Sequence, residues 1–318
     1  MVYWTKSRGT GGSLISEEDF IVEEIPLRKF FSKYARSDSG MKPVDGPYVL
    51  AMLKKKGMTT PDAIKIILKE LKINRNDIGY AGLKDKFAVT SQYVTIRKES
   101  FRAIKTSKFE LVYVSMINKM MQVGELEGNK FTITLHGCKK PENVEKTLQQ
   151  LSNGMPNYFG PQRFGKHGDN HLIGRLILQK KYEQALKIIN KHVKNPYSSI
   201  RLVNKKTLKF FIHAYQSYIF NQAVDEYVKK GKAVFDTIPV IGYNTKLTPI
   251  SKKLLDEDGL QTGNFEIREL SMKCEGSTRA VFIKPKILAY AIDDDMLRME
   301  FELPKGSYAT VLIREIVK

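Results

Sequence analysis

Two hydrophobic periods alternate along the chain. A strand-like period of two runs through Glu18-Asp19-Phe20-Ile21-Val22-Glu23-Glu24-Ile25 and stops at Pro26. It returns at Tyr48 to Leu53, then in the β-branched and aromatic run Val89, Thr90, Tyr93, Val94, Thr95 and Ile96. Further strands are expected at Phe109–Val114 and Lys130–Leu135, where Phe131, Ile133 and Leu135 share a face. Another is expected at Leu297–Leu303, where Leu297, Met299, Phe301 and Leu303 alternate with charged residues.

Helical spacing occupies the intervals. Thr59-Thr60-Pro61-Asp62 is a helix start, with a Thr cap, Pro in the first turn and an acid at the positive end of the dipole. Ile64, Ile67, Leu68 and Leu71 then form the face that packs on a sheet. Residues 142–151 predict a short amphipathic helix through Val144, Leu148 and Leu151, stopped by Gly154. Leu172, Leu176 and Ile177, then Leu186, Ile189 and Val193, continue the helical period. A long helix from about Lys205 to Lys230 carries Leu208, Phe211, Tyr215, Ile219, Ala223 and Tyr227 in one core stripe. Residues 34–47 read as a polar loop, Pro239 to Asn264 as loop-rich with short strands, and Gly9, Gly11 and Gly12 as a flexible turn rather than a phosphate cradle. Strand runs without regular βαβ alternation predict an α+β fold with a largely antiparallel mixed sheet and flanking helices.

Composition narrows the function classes. With 318 residues the chain makes one large domain or two ordinary ones, and 42% hydrophobic and 10% aromatic content mark a globular protein. A formal net charge of +19 calls for a polyanionic partner, nucleic acid ahead of an anionic membrane surface. No run of 18 or more apolar residues predicts a membrane span, and Met1 to Lys6 lacks the apolar core of a leader peptide. Cys138 and Cys274 have no paired spacing, which disfavours disulfides and a cysteine zinc site and suits a reducing cytoplasm.

The stretch Gly79 to Gln92 carries the candidate chemistry. Asp85 stands between Lys84 and Lys86 at the mouth of a strand, after Gly79 and Gly82, which permit tight turns or close ligand approach. The flanking lysines favour the ionised carboxylate and attract phosphate. On spacing alone, Lys-Asp-Lys is an ordinary solvated turn. Asn157 to Gly165 interleaves aromatics with glycines and Arg163, which suits RNA, since rings stack on bases and Arg grips phosphate, and equally suits a structural hinge. His167 and His171 have the spacing of a helical metal pair, but Gly165, Gly168 and Asp169 argue against helix there. No third ligand matches, so a solvent-exposed pair is expected. No dinucleotide fingerprint, P-loop or nucleophile elbow is present.

Ala81-Gly82-Leu83-Lys84-Asp85-Lys86-x-Ala88-Val89-Thr90-x-Gln92 resembles the signature of the TruD family, the tRNA pseudouridine-13 synthases. Further matching strings are Asp19-Phe20-x-Val22-Glu23-Glu24, Gly128-Asn129-x-Phe131, Asn157 to Gly165, Ala214 to Asn221 and Leu303 to Thr310. The resemblance implies Asp85 as nucleophile, and Phe20, Asn129, Phe131 and Tyr308 as substrate-binding residues. Lys84, Lys86 and Arg163 are the expected RNA contacts. It divides the chain into a catalytic domain of residues 1–153 and 284–318 and a helix-rich inserted domain of residues 154–283. Many relatives carry a lysine shortly before the Phe20 segment, where this chain has Leu14 and Ile15, so the resemblance does not carry over a phosphate contact by that lysine.

The implied reaction breaks a glycosidic C–N bond and remakes the link through carbon, without net redox change, so no cofactor or metal is expected. The base has to leave its stack to reach a buried Asp85, at a cost of a few kcal/mol. The expected partner is tRNA, with other structured RNA as a further substrate class. No membrane and no obligate protein partner are implied, and the expected location is cytoplasmic. Rival readings are a non-catalytic structured-RNA-binding protein or chaperone, and a nuclease or methyltransferase. Neither an acidic two-metal cluster nor a nucleotide-cofactor glycine loop supports the last two.

Overall fold

The structure, a computed structural model, describes residues 1–27, 46–140, 142–231 and 233–318. Residues 34–45 of the expected polar loop lie outside the described residues. The chain forms two compact units, one of Arg8–Leu148, Pro285–Gly306 and Ile316–Lys318, the other of Met1–Ser7, Gln149–Lys284 and Ser307–Glu315.

The first unit is built on a ten-stranded sheet. Its strands in chain order are β1 (Gly11–Ser13), β2 (Phe20–Pro26), β3 (Tyr48–Lys56), β4 (Ile78–Tyr80), β5 (Val89–Arg97), β6 (Ile104–Lys105), β7 (Phe109–Ile117) and β8 (Leu126–Cys138), then a hairpin of Lys286–Asp293 and Met296–Pro304. The hairpin lies beside β8, followed in the sheet by β2, β5, β3, β7 and β6, with β1 on β8 and β4 on β5. All pairs are antiparallel except β2 with β5. The expected α+β class with a mostly antiparallel sheet is therefore the observed one. Of the glycines expected in a flexible turn, Gly11 and Gly12 instead lie in β1, with Gly11 opposite Cys138 and Ser13 opposite His136.

The period of two explains the packing. Val49, Ala51 and Leu53 of β3, with Val94 and Ile96 of β5 and Leu111 of β7, meet Ala63, Ile64 and Ile67 of helix Thr60–Leu71 in one apolar cluster. That helix starts as the sequence predicts: the Thr59 hydroxyl accepts from the Asp62 N–H at 3.3 Å, Pro61 sits in the first turn, and Lys72 closes the helix in the left-handed region.

The second unit is helical, with helices Asn170–Leu178, Tyr182–Asn190, Lys205–Lys229 and Pro249–Glu257. Leu208, Phe211, Tyr215 and Ile219 of the long helix pack with Ile173, Ile177, Ile189, Leu255 and Phe265. Helix Pro249–Glu257 corrects the loop expected there. Thr248 caps it by accepting from the Ser251 N–H at 3.1 Å, and Pro249 occupies its first turn. The C-terminal stretch after the last sheet strand is also helical, over Ala309–Val317. Among the described residues, no helix is long and apolar enough to cross a membrane.

Two helices of this unit touch backbone to backbone at Gly174, where an added Cβ would stand 2.1 Å from the Phe211 carbonyl oxygen. Helix propensity alone favours Gly174→Ala by about 1 kcal/mol. The clash outweighs it, so the substitution is expected to destabilise the protein by about 1–3 kcal/mol, seen as a lower urea midpoint. An unchanged or raised midpoint would contradict the close approach.

Candidate active site

Asp85 lies in the loop that joins β4 to β5, and the loop is held by side chains rather than by its own backbone ladder. The Lys84 ammonium turns inward and pairs with Glu24 Oε2 at 2.5 Å, in a site where both side chains are almost completely buried. The Lys84 N–H donates to the Thr60 hydroxyl at 2.9 Å, and that hydroxyl donates to Gln92 Oε1 at 2.7 Å. The Gln92 amide in turn donates to the Gly82 carbonyl at 2.9 Å. Gly82 leaves room for the pair of Lys84 and Glu24, because a Cβ there would stand 2.8 Å from Lys84 Nζ and 2.9 Å from Glu24 Oε2 and would push the two side chains aside. Last, the Lys55 ammonium donates to the Asp85 carbonyl at 2.9 Å and to the Met58 carbonyl at 2.6 Å.

The frame leaves Asp85 and Lys86 exposed, and Phe87 beside them 75% exposed. Two expectations change. Asp85 is not buried, because the tethers act on its neighbours and on its backbone. Lys84 is not available to phosphate, since its charge is committed to Glu24 inside the unit. Lys86 remains the outward cation of the pair, with its ammonium 5.8 Å from the Phe87 ring centre.

Cross-strand register places Glu24 opposite Asn129, Val22 opposite Phe131 and Phe20 opposite Ile133. The pleat puts alternate residues on one face, so Phe20, Val22 and Glu24 share a face with Asn129 and Phe131. Phe131 meets Phe20 edge-on at 6.0 Å and stacks on Phe301 at 5.4 Å. Glu24 is on this same face and holds Lys84, so the Asp85 loop is tied to the face that carries Phe20, Asn129 and Phe131. Asn129 Oδ1 and Glu24 Oε1 are both buried without a hydrogen-bond partner. A buried acceptor left open is costly unless something supplies a donor.

Lys55 is the functional candidate that the sequence reading missed. Burial lowers its pKa to about 8, opposed by the nearby Asp85 and Asp62 carboxylates and reinforced by Lys84. The signal was in the alternation. Lys55 continues the inward series Val49, Ala51, Leu53, while Lys54 and Lys56 point out to solvent.

Arg163 and Tyr308 belong to the second unit and share an aromatic cluster there. Phe159 is its centre, with the Tyr308 ring at 6.1 Å and the Arg163 guanidinium at 5.3 Å. Arg279, also unmarked in the sequence reading, lies 4.2 Å over Phe159 and donates to the Asn157 carbonyl and side-chain oxygens at 2.9 and 2.7 Å. Burial pulls its pKa down to about 10. Ser307 donates to the same Asn157 oxygen at 3.1 Å, which fixes the residue before Tyr308.

His167 and His171 are not a pair. His167 stacks on His192 at 3.9 Å, and His192 meets Asp169 at 2.7 Å. His171 is half-buried and stacks on Tyr218 at 4.5 Å. Among the described residues, no group of three or more His, Cys, Asp or Glu side chains is arranged to hold a metal ion.

Comparison with known proteins agrees with this architecture. The family model for tRNA pseudouridine synthase D (TruD) matches residues 1–199 and 222–316. A protein of Thermococcus sibiricus named "Probable tRNA pseudouridine synthase D" is 29% identical, with 99% of this chain and 97% of that protein covered. The tRNA pseudouridine synthase D of Sulfurimonas denitrificans is 30% identical over 94% of this chain and 93% of its own length. The crystal structure of a TruD protein from Methanosarcina mazei superposes with a TM-score of 0.74 at 25% identity, covering 100% of this chain and 96% of that one. The chain belongs to the tRNA pseudouridine synthase D (TruD) family of isomerases.

Proposed function

We propose that this protein isomerises a uridine of tRNA, the one at position 13, to pseudouridine, with Asp85 as the nucleophile. The observation that carries the reading is an exposed carboxylate on a loop tied to the sheet face bearing Asn129, Phe20 and Phe131. A nucleophile has to be presented at a fixed angle to the flipped nucleoside, and a loop tethered at Gly82, Lys84 and Asp85 supplies that order.

The roles of the other residues follow from their chemistry. Phe20 and Phe131 are proposed as apolar walls that receive the flipped base, where stacking returns about 1–3 kcal/mol against the cost of unstacking, and Tyr308 is proposed as a substrate-binding residue of the second unit. The open Asn129 Oδ1 accepts from a substrate donor, the uracil imide N–H or a ribose hydroxyl. Lys86 and Arg163 contact phosphate, as point charge and fork respectively. Lys55 acts as a positioning residue: its ammonium donates to the Asp85 carbonyl and holds the backbone of the loop. The sheet unit is proposed as the catalytic domain, and the helical residues 154–283 as the inserted domain that adds RNA contacts.

Asp85→Asn removes the nucleophile but keeps shape and hydrogen bonding. It is expected to lower turnover on an unmodified tRNA transcript by about 10⁴-fold or more while the dissociation constant changes little. Substantial residual turnover would contradict the assignment. Asn129→Ala is expected to raise KM or lower kcat by about tenfold or more, without lowering the melting temperature, because its Oδ1 has no partner to lose in the free protein. A large loss of stability instead would make Asn129 structural.

The pH dependence follows from Lys55. Its pKa is lowered to about 8, so its ammonium is present below that pH and lost as pH rises through it. Turnover is expected to fall above about pH 8, and in Lys55→Arg, which keeps its charge, this alkaline limb moves to higher pH. The same limb in both proteins would assign it to another group.

A further inference from the structure

Two of the strings that resemble the family, Asn157 to Gly165 and Ala214 to Asn221, meet at a cleft of about 490 Å³ in the helical unit. They are knit together by Asn221, whose side chain accepts from the Phe159 N–H at 2.8 Å and donates to the Phe159 carbonyl at 3.0 Å. Phe164 and Gly165 of the lining come from the first string, Tyr218 and Asn221 from the second, and Lys166 and His171 line it beside them.

The walls have the chemistry of a base platform. His171 and Tyr218 stack at 4.5 Å with 20° between their planes, and Phe164 abuts His171 edge-on at 5.6 Å. Burial, with Arg175 nearby, pushes the His171 pKa down, so its ring is neutral at pH 7 and presents a π face. All three rings are half-buried, whereas the core-facing rings Phe211 and Tyr215 of Tyr218's own helix are buried. The platform is therefore not spare core. Lys166 on the rim is an exposed cation, in a chain whose net charge is +19. An aromatic platform with a cation beside it is what binds an unstacked base and its phosphate.

We infer that this cleft is a subsite for an unpaired nucleotide of the RNA substrate other than the target uridine, with its base on the Tyr218–His171 stack and its phosphate on Lys166. The inference rests on the reading above that the partner is RNA. It gives the two strings a common role beyond the structural one.

The test is fluorescence anisotropy of a labelled, unmodified tRNA transcript with the full-length chain. Tyr218→Ala is expected to weaken binding about tenfold, and Tyr218→Phe, which keeps the ring, to stay within about twofold of wild type. Lys166→Ala is expected to reduce the slope of log K against log salt by about one unit. In parallel, a 4-thiouridine-substituted transcript is photocrosslinked to the wild-type protein, with crosslinks expected within residues 161–171 or 218–222. This arm stands even where a variant misfolds. Unchanged affinity of a folded Tyr218→Ala, or crosslinks confined to other segments, would overturn the subsite. The two readings separate cleanly. Pseudouridine formation by wild type with no effect of Tyr218→Ala rejects the subsite alone. Crosslinks at Tyr218 without any pseudouridine keep the subsite and reject the isomerase reading.

Discussion

The buried ion pair between Lys84 and Glu24 is the constraint on which the candidate site depends. Removing one partner of such a pair costs about 3–5 kcal/mol, because the other charge is left desolvated and alone. The chain therefore cannot let Lys84 swing outward, and the residue after it is presented to solvent by consequence. Thr60, Gln92 and Lys55 add hydrogen bonds to the same short loop, so it is fixed from the sheet, from a helix start and from the end of β3. Gly82 is the clearance this arrangement needs.

This order has a chemical meaning. An exposed aspartate on an untethered loop samples many orientations, and few of them suit attack on a nucleoside. Here backbone and neighbours are held while the carboxylate stays exposed, as the proposed nucleophile requires. Charge is distributed in the same spirit. Lys55 lies beneath Asp85, Lys84 is neutralised by Glu24, and Lys86 faces outward. A polyanionic substrate thus meets a net positive protein without the buried pair being drawn into binding.

Much of the frame was legible in the sequence because it rests on local rules. The period of two located β2, β3, β5, β7 and β8, and the Thr-Pro signal located helix Thr60–Leu71. The same signal stands at Thr248-Pro249, where polar neighbours mask it. Lys84 and Lys55 show where local reading fails. Both look like surface cations, and only the non-local approach of Glu24 and of the Asp85 carbonyl, in strands and loops distant in sequence, shows them buried. His167 and His171 are hard to read for a related reason: their partners, His192 in the turn after helix Tyr182–Asn190 and Tyr218 in helix Lys205–Lys229, lie far along the chain. Arg279 had no sequence signal, since its role depends on an aromatic cluster assembled from separate segments.

The most direct measurement is nucleotide-resolution mapping of pseudouridine in unmodified tRNA transcripts, after incubation with wild-type protein and with Asp85→Ala and no added metal or cofactor. A single converted uridine, at position 13, in the wild-type reaction alone is the predicted result. Conversion of the same uridine by Asp85→Ala, or none by a wild-type protein that binds the transcripts, would contradict the account.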